Sequence, residues 1–388
     1  MAQVSSSATI ALPLPAATAV HEHAHIRALD GIRGAAILLV LFYHLGNSVG
    51  AEFGVNSKLQ VMAGLGWVGV DLFFVLSGFL ITGILYDAKL KPAFFKNFYM
   101  RRALRIFPLY FSALLFLVLL RTAWPHLGLY GSSSDAWLWV YLSNFVIAIQ
   151  GFGAFGLVDH FWSLAIEEQF YLVWPLVVFS LSRSAAMRVA FCMCLTAPLL
   201  RIALALGGTE SEPAIYVLSP LRMDSLAMGA LLALAIRGPD AIDIGKLKRP
   251  AALVMAVSAV LVVLIVVLTR SVSPHSLPME TLGLSAVALL GVSTIVLALS
   301  SPLRHVFEHK VLRWFGKYSY GLYVWHPILW VIIFHSDWAR SVRAGSGGSD
   351  MEAMMLTVLA AVTLLLAFVM GSWHLMESQF LKLKVRFQ

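Results

Sequence analysis

The chain has 388 residues, of which 60% are apolar and only 12% are Asp, Glu, Lys or Arg, and its mean hydropathy is +0.83. Soluble globular chains carry about 25% charged residues, so the composition excludes a soluble domain and reads as an all-α polytopic membrane protein. The formal net charge of +8 is no nucleic-acid signal, because the basic residues fall in short segments between apolar runs.

Residues 1–26 are rich in Ala, Ser, Pro and Thr and lack a basic start and an apolar core, so they read as a flexible cytosolic tail, not a signal peptide. His21, His23 and His25 lie in that tail, where a solvated setting argues against a metal site, and no metal is expected elsewhere. Apolar runs follow at about 34–53, 62–86, 106–123, 160–182, 187–206, 216–236, 251–269, 280–300, 318–335 and 353–376. An eleventh stretch, 136–149, is short for the roughly 20 residues a span needs. Without it, 21 of the 28 basic residues fall on one side of the membrane and five on the other, as the positive-inside rule requires. Counting it as a span would reverse every later loop. The expectation is therefore about ten transmembrane helices plus one short re-entrant or interfacial segment, with both termini inside. Residues 27–380 form the membrane domain and 381–388 a basic cytosolic tail. Cys192 and Cys194 read as buried small apolar residues, and no repeat suggests paired transporter halves.

The first span carries Asp30, Arg33 and His44. Eleven residues turn a helix by about 1100°, so Arg33 and His44 share one face about 16 Å apart. Histidine at that depth is costly in lipid and marks a functional position, whereas Arg33 alone also fits a simple cytosolic anchor. Asp30 suits a helix N-cap beside Arg33. In the second span, Asp71 lies at the depth of His44 and is a candidate to orient its imidazole. Ser77-Gly78 reads first as helix packing and second as a nucleophile. Arg102 and Arg105, one turn apart, form a clamp for a polyanion, either the phosphates of a nucleotide-bearing cofactor or lipid headgroups.

The segment Asp159-His160-Phe-Trp162-Ser163-Leu-Ala-Ile-Glu167-Glu168-Gln169 combines acids with aromatic rings, a pairing suited to carbohydrate, and the topology puts it toward the outer half. Trp162 and its neighbours also fit an interfacial aromatic belt. Arg222 and Asp224 are expected to neutralise each other or to pair with Glu167 or Glu168. His326, followed by Pro327, falls near the depth of His44, and the proline either aims it into a cavity or simply kinks the helix.

Over about residues 27–380 these segments resemble the bacterial membrane-bound acyltransferase 3 family, O-acyltransferases of sugars and glycosylated small molecules. The resemblance rests on Arg33…His44, Phe73-Phe74-Val-Leu-Ser77-Gly78, Trp162-Ser163-Leu…Glu167 and Arg222-Met-Asp224 taken together and in this order. It implies acyl-CoA, usually acetyl-CoA, as donor and a hydroxyl of a glycan, glycolipid or glycosylated small molecule as acceptor. The family's arginine, ten residues and histidine map onto Arg33 and His44, and its cytosolic arginine pair onto Arg102 and Arg105. Some members add a C-terminal esterase-like domain, which is not expected here. Where the family has Glu-x-Pro, this chain reads Glu377-Ser378-Gln379.

The expectation is an enzyme of the bacterial inner membrane in which Arg33, Arg102 and Arg105 bind CoA phosphates. His44 acts as general base with Asp71 or Glu167 orienting it, and Trp162, Glu168, Arg222, Asp224 and His326 serve the acceptor. An acyl-histidine relay is an alternative chemistry. The alternative function is a proton-coupled transporter of a lipid-linked or small sugar, which would use the intramembrane acids and histidines as a relay.

Overall fold

The computed structural model describes residues 26–53, 62–123, 133–208, 212–334, 336–345 and 350–387, so the N-terminal tail with His21, His23 and His25 lies outside the described residues. Among those residues there is no strand, and ten helices exceed 16 residues. They are α1 (Arg27–Phe53), α2 (Val68–Ala88), α3 (Phe94–Ala123), α4 (Trp162–Ser180), α5 (Arg183–Leu206), α6 (Ser219–Ala235), α7 (Lys248–Thr269), α8 (Leu284–Ser300), α9 (Lys310–Phe334) and α10 (Asp350–Ser372). Helices answer the composition because hydrocarbon offers a backbone no hydrogen-bond partner, so each span must satisfy its own.

Eight of the ten, with their flanking turns, are long and apolar enough to cross a membrane. The two exceptions are α4, which holds Glu167, Glu168 and Gln169, and α9, which holds Lys310, Arg313, Lys317 and His326. Their polarity has a use, because both helices line the cavities described below. This is a multi-pass membrane protein.

The stretch 136–149 does not cross. It forms two short helices, Ala136–Trp139 and Ser143–Gln150, broken where Tyr141 adopts a left-handed backbone (φ 56°). The amide of Gln169 on α4 donates to the Tyr141 carbonyl at 2.8 Å and to Asn144 Oδ1 at 2.9 Å, fixing this hairpin against the bundle. The consequence is visible at the basic end, where Lys89 Nζ donates to the Leu181 carbonyl. Arg183 reaches the Leu234 carbonyl at 2.8 Å and Arg237 pairs with Asp87 at 3.3 Å. The loops after α2, α4 and α6 therefore meet at one end, which an extra crossing at 136–149 would forbid. At the opposite end Arg343 donates to the Glu52 carbonyl at 3.0 Å, and Trp67 Nε1 to the Val272 carbonyl at 2.9 Å.

α2 and α6 pack through reciprocal glycines. Gly78 lies on the Leu226 carbonyl of α6, and Gly229 lies on the Val75 carbonyl of α2. A Cβ at either position would enter the facing backbone, so Ser77-Gly78 owes its glycine to close approach. α1 and α9 meet in the same way at Gly34 and Gly316, and these two helices run side by side in one direction. Because α1 begins at Arg27, Asp30 sits within the first turn and pairs with Arg33 at 3.2 Å, where an N-cap was expected.

Candidate active site

Two cavities lie end to end in the bundle. The first, of about 120 Å³, opens among Arg33, Arg102 and Arg105 and continues past Ser77, Glu167 and Tyr171 to Tyr320 and Tyr323. The second, of about 180 Å³, lies beyond it and is walled by Tyr43, His44, Trp67, His160, Trp162 and Tyr216, with His275 and Asp159 on its lining. Val70 and Tyr323 line both, so these two side chains form the partition.

His44 stands on the wall of the second cavity. Its Nδ1 is 2.9 Å from the Val40 carbonyl, one turn back on the same helix. A carbonyl oxygen can only accept, which assigns the proton to Nδ1 and leaves the Nε2 lone pair free. His326 repeats the arrangement, with Nδ1 3.0 Å from the Leu322 carbonyl, and it is fully buried. The parallel course of α1 and α9 carries both imidazoles to one depth, where the ring centroids are 4.7 Å apart. A third ring, His160, completes the cluster at 5.2 Å from His326 and 6.4 Å from His44. Its backbone carbonyl accepts from the Tyr323 hydroxyl at 2.6 Å, and Ser163 Oγ lies 2.6 Å from the same hydroxyl. The partition residue is thereby tied to the histidine cluster. Among the described residues no group of three or more His, Cys, Asp or Glu side chains has the geometry to hold a metal ion.

The three arginines of the sequence reading do converge, Arg33 from α1 and Arg102 and Arg105 from α3. Arg102 also packs its guanidinium 5.8 Å from the Phe98 ring. Glu167 faces this same cavity beside Ser77 and Tyr171, whose hydroxyls contact each other, and it lies within the electrostatic reach of Arg102 and Arg33. The expectation of an outer-half glutamate pair is corrected: Glu167 belongs to the arginine cavity. Glu168 turns away toward Tyr110 and Tyr141 and lines neither cavity. Adjacent residues on a helix diverge by about 100°, and here that divergence puts one acid on the cavity and the other off it.

Asp71 does not orient His44. Arg222 NH2 reaches both its carboxylate oxygens at 2.9 Å, and Ser225 Oγ donates to Oδ1 at 2.9 Å, all inside the protein. The guanidinium also lies 4.8 Å from the Tyr216 ring, 5.7 Å from Phe74 and 5.9 Å from Trp162. Nor do Arg222 and Asp224 neutralise each other. Asp224 pairs with Arg201 at 2.8 Å and accepts from Ser285 Oγ at 2.6 Å. Residues two apart on a helix point about 200° from each other, so each found its partner on a different helix, α2 or α5. Arg222, Asp224 and Glu168 thus stand apart from both cavities, His326 sits behind His44, and Trp162 alone of the expected acceptor residues lines the second cavity.

Sequence reading gave no role to His160, Tyr323 or Tyr171. His160 carried the same signal as His44, an imidazole at a span, and Tyr323 lies one turn before His326 on the same face of α9. On the lining of the second cavity Asp159 accepts from the backbone N–H groups of Gly153 and Phe155, the latter at 2.8 Å. Burial nevertheless pushes its carboxyl above the usual carboxylate range, with those two donors opposing.

No solved structure matches this chain. It is 31% identical over 330 residues to the peptidoglycan O-acetyltransferase OatA of Listeria monocytogenes, covering 80% of this chain and 50% of that protein. It is 30% identical over 337 residues to YrhL of Bacillus subtilis, provisionally named a peptidoglycan O-acetyltransferase, covering 79% and 49%. A provisionally named O-acetyltransferase of Staphylococcus aureus is 27% identical over 327 residues, covering 78% and 50%. The chain spans about half the length of these curated relatives. The profile of the acyltransferase domain family matches residues 26–374, nearly the whole membrane bundle with both cavities, and the chain belongs to that family.

Proposed function

We propose that this protein is a membrane-embedded O-acyltransferase. It moves an acyl group, acetyl in the simplest case, from acyl-CoA at the arginine cavity to a hydroxyl of a glycan, glycolipid or glycosylated small molecule in the second cavity. The names of the peptidoglycan O-acetyltransferases it is similar to favour a cell-wall glycan among these acceptors. The observation that carries the reading is His44. Its Nδ1 proton is committed to the Val40 carbonyl, which leaves the Nε2 lone pair for chemistry. The residue lines the second cavity, and Val70 and Tyr323 line both that cavity and the one that holds three arginines.

The reaction follows from that arrangement. Nε2 of His44 takes the proton of the acceptor hydroxyl as its oxygen attacks the thioester carbonyl carbon. The tetrahedral intermediate collapses with cleavage of the carbon–sulfur bond, and the imidazolium returns the proton to the departing CoA sulfur. Arg33, Arg102 and Arg105 hold donor phosphates by charge-assisted hydrogen bonds. Trp162, Trp67 and Tyr216 offer ring faces to the apolar side of a sugar. The basic end of the bundle is cytosolic in this reading, which gives both termini and the C-terminal stretch 381–388 a cytosolic position in a bacterial inner membrane. The catalytic unit is residues 27–380.

The deciding assay is thiol release from acetyl-CoA by the purified protein with a glycan fragment as acceptor. Wild type should turn over, and His44→Ala should lose two to four orders of magnitude, the range of general-base contributions. Turnover by His44→Ala at the wild-type rate would sink the base assignment. Glycan flux through proteoliposomes without thiol release would instead favour a transporter.

A further inference from the structure

A third concavity lies at the basic end, and most of its lining is not used by the chemistry above. It is a groove of about 600 Å³ that shares Arg33 and Arg105 with the arginine cavity and adds Lys310, Arg313, Lys317, Trp314 and Trp373. Five cations line it against one acid, Asp30, and that acid is already paired with Arg33. The other four cations have no acid partner on the groove's lining, a density of positive charge suited to a polyphosphate. The Arg313 Nε is buried without a hydrogen-bond partner among the described residues.

Two features give the groove a direction. On α9, Lys310, Arg313, Lys317, Tyr320, Tyr323 and His326 recur every three or four residues, so they form a continuous stripe that winds about 200° around the helix. The stripe runs from the groove, through the arginine cavity at Tyr320 and Tyr323, to the histidine cluster, a rise of about 24 Å. The second feature is a π-turn, Trp373–Glu377, at the end of α10, where Glu377 is buried and accepts from Ser372 Oγ at 3.3 Å. Such turns are rare and gather at functional sites. This one brings the Trp373 ring within 5.3 Å of Lys317 Nζ, itself 4.9 Å from the Tyr318 ring. Aromatic faces beside cations suit a purine base joined to phosphates.

Resting on the acyl-CoA reading, we infer that this groove is the nucleotide subsite of the donor. Lys310, Arg313 and Lys317 engage the ribose phosphate and the outer end of the pyrophosphate, Trp314 and Trp373 pack on the adenine, and the pantetheine arm enters between Arg33 and Arg105. Arg102 and Arg105 then hold the inner phosphate.

The test is equilibrium binding of adenosine 3′,5′-bisphosphate to the full chain in lipid-free detergent, beside turnover of acetyl-CoA and acetyl-pantetheine. The variant is Lys310→Glu with Lys317→Glu, both exposed positions, and Lys310→Arg with Lys317→Arg is the rescue. Bisphosphate should bind wild type and the arginine pair and lose at least tenfold in affinity in the glutamate pair. The glutamate pair should raise KM for acetyl-CoA at least tenfold more than for acetyl-pantetheine. Equal KM changes for the two donors, or bisphosphate binding unchanged by the glutamates, would overturn the subsite. Displacement of bisphosphate by phosphatidylglycerol vesicles at equal phosphate concentration would assign the groove to lipid headgroups and overturn it too. Bisphosphate binding in a wild type that turns over neither donor would leave the subsite standing and remove the acyltransferase reading instead.

Discussion

His44 on α1 and His326 on α9 meet with ring centroids 4.7 Å apart, although 282 positions separate them in the sequence. Each holds its Nδ1 against the carbonyl four residues earlier in its own helix. The pairing differs in access, because His44 lines a cavity while His326 has no exposed surface. The two should therefore fail differently on substitution. His44→Ala should abolish turnover by about 10²–10⁴-fold with donor binding intact, read by thiol release and by CoA calorimetry. A parallel loss of CoA affinity would mean that His44 supports the donor and not proton transfer.

Arg102→Ala and Arg105→Ala should act on binding. A charge-assisted hydrogen bond is worth about 1.5–3 kcal/mol, so each change should weaken acetyl-CoA affinity about ten- to a hundredfold. The effect should shrink in high salt, because screening weakens the same contact in wild type. Calorimetry over a salt series checks both statements, and an affinity indifferent to salt would contradict them.

The Asp71–Arg222 pair offers a stability test. Neither side chain is exposed, so removing one partner strands a charge inside the bundle. Arg222→Leu or Asp71→Leu alone should cost about 3–5 kcal/mol, whereas the double replacement should recover most of that loss. Thermal unfolding in detergent of the four proteins reads the cycle. Additive losses in the double variant would show that the two residues do not act as a unit.

Gly78 and Gly229 should tolerate nothing larger. Gly78→Val must push α6 away from α2, because the added carbon meets the Leu226 backbone and not a movable side chain. Overpacking of this kind typically costs about 1–3 kcal/mol. A melting temperature equal to that of wild type would mean that the helices are free to separate.

The sequence by itself determined the class and the connectivity. Hydropathy sets out ten apolar segments, and the structure forms its ten long helices there, because in lipid each span must close its own hydrogen bonds and so carries its own signal. Charge counting excluded 136–149 as a span, and the contact of Lys89 with Leu181 agrees, since a loop's side of the membrane is a property of local charge. The depth match of His44 and His326 was also legible, because residue rise along a straight helix converts position into depth.

Only the tertiary structure decided partners. Asp71 could be assigned a depth but not a rotation about its axis, and the packing turned it to Arg222 instead of His44. Arg222 and Asp224, adjacent in the reading, separate to α2 and α5 for the same reason. Glu167 lies on the arginine cavity and not with an outer-half acid pair, because the packing around α4 is set by neighbours that contribute nothing to a local pattern. Sequence spacing fixes where a side chain lies along its own helix. Which helix stands opposite is a cooperative outcome of close packing at glycines such as Gly78 and Gly229, and it emerges only when the whole bundle is assembled.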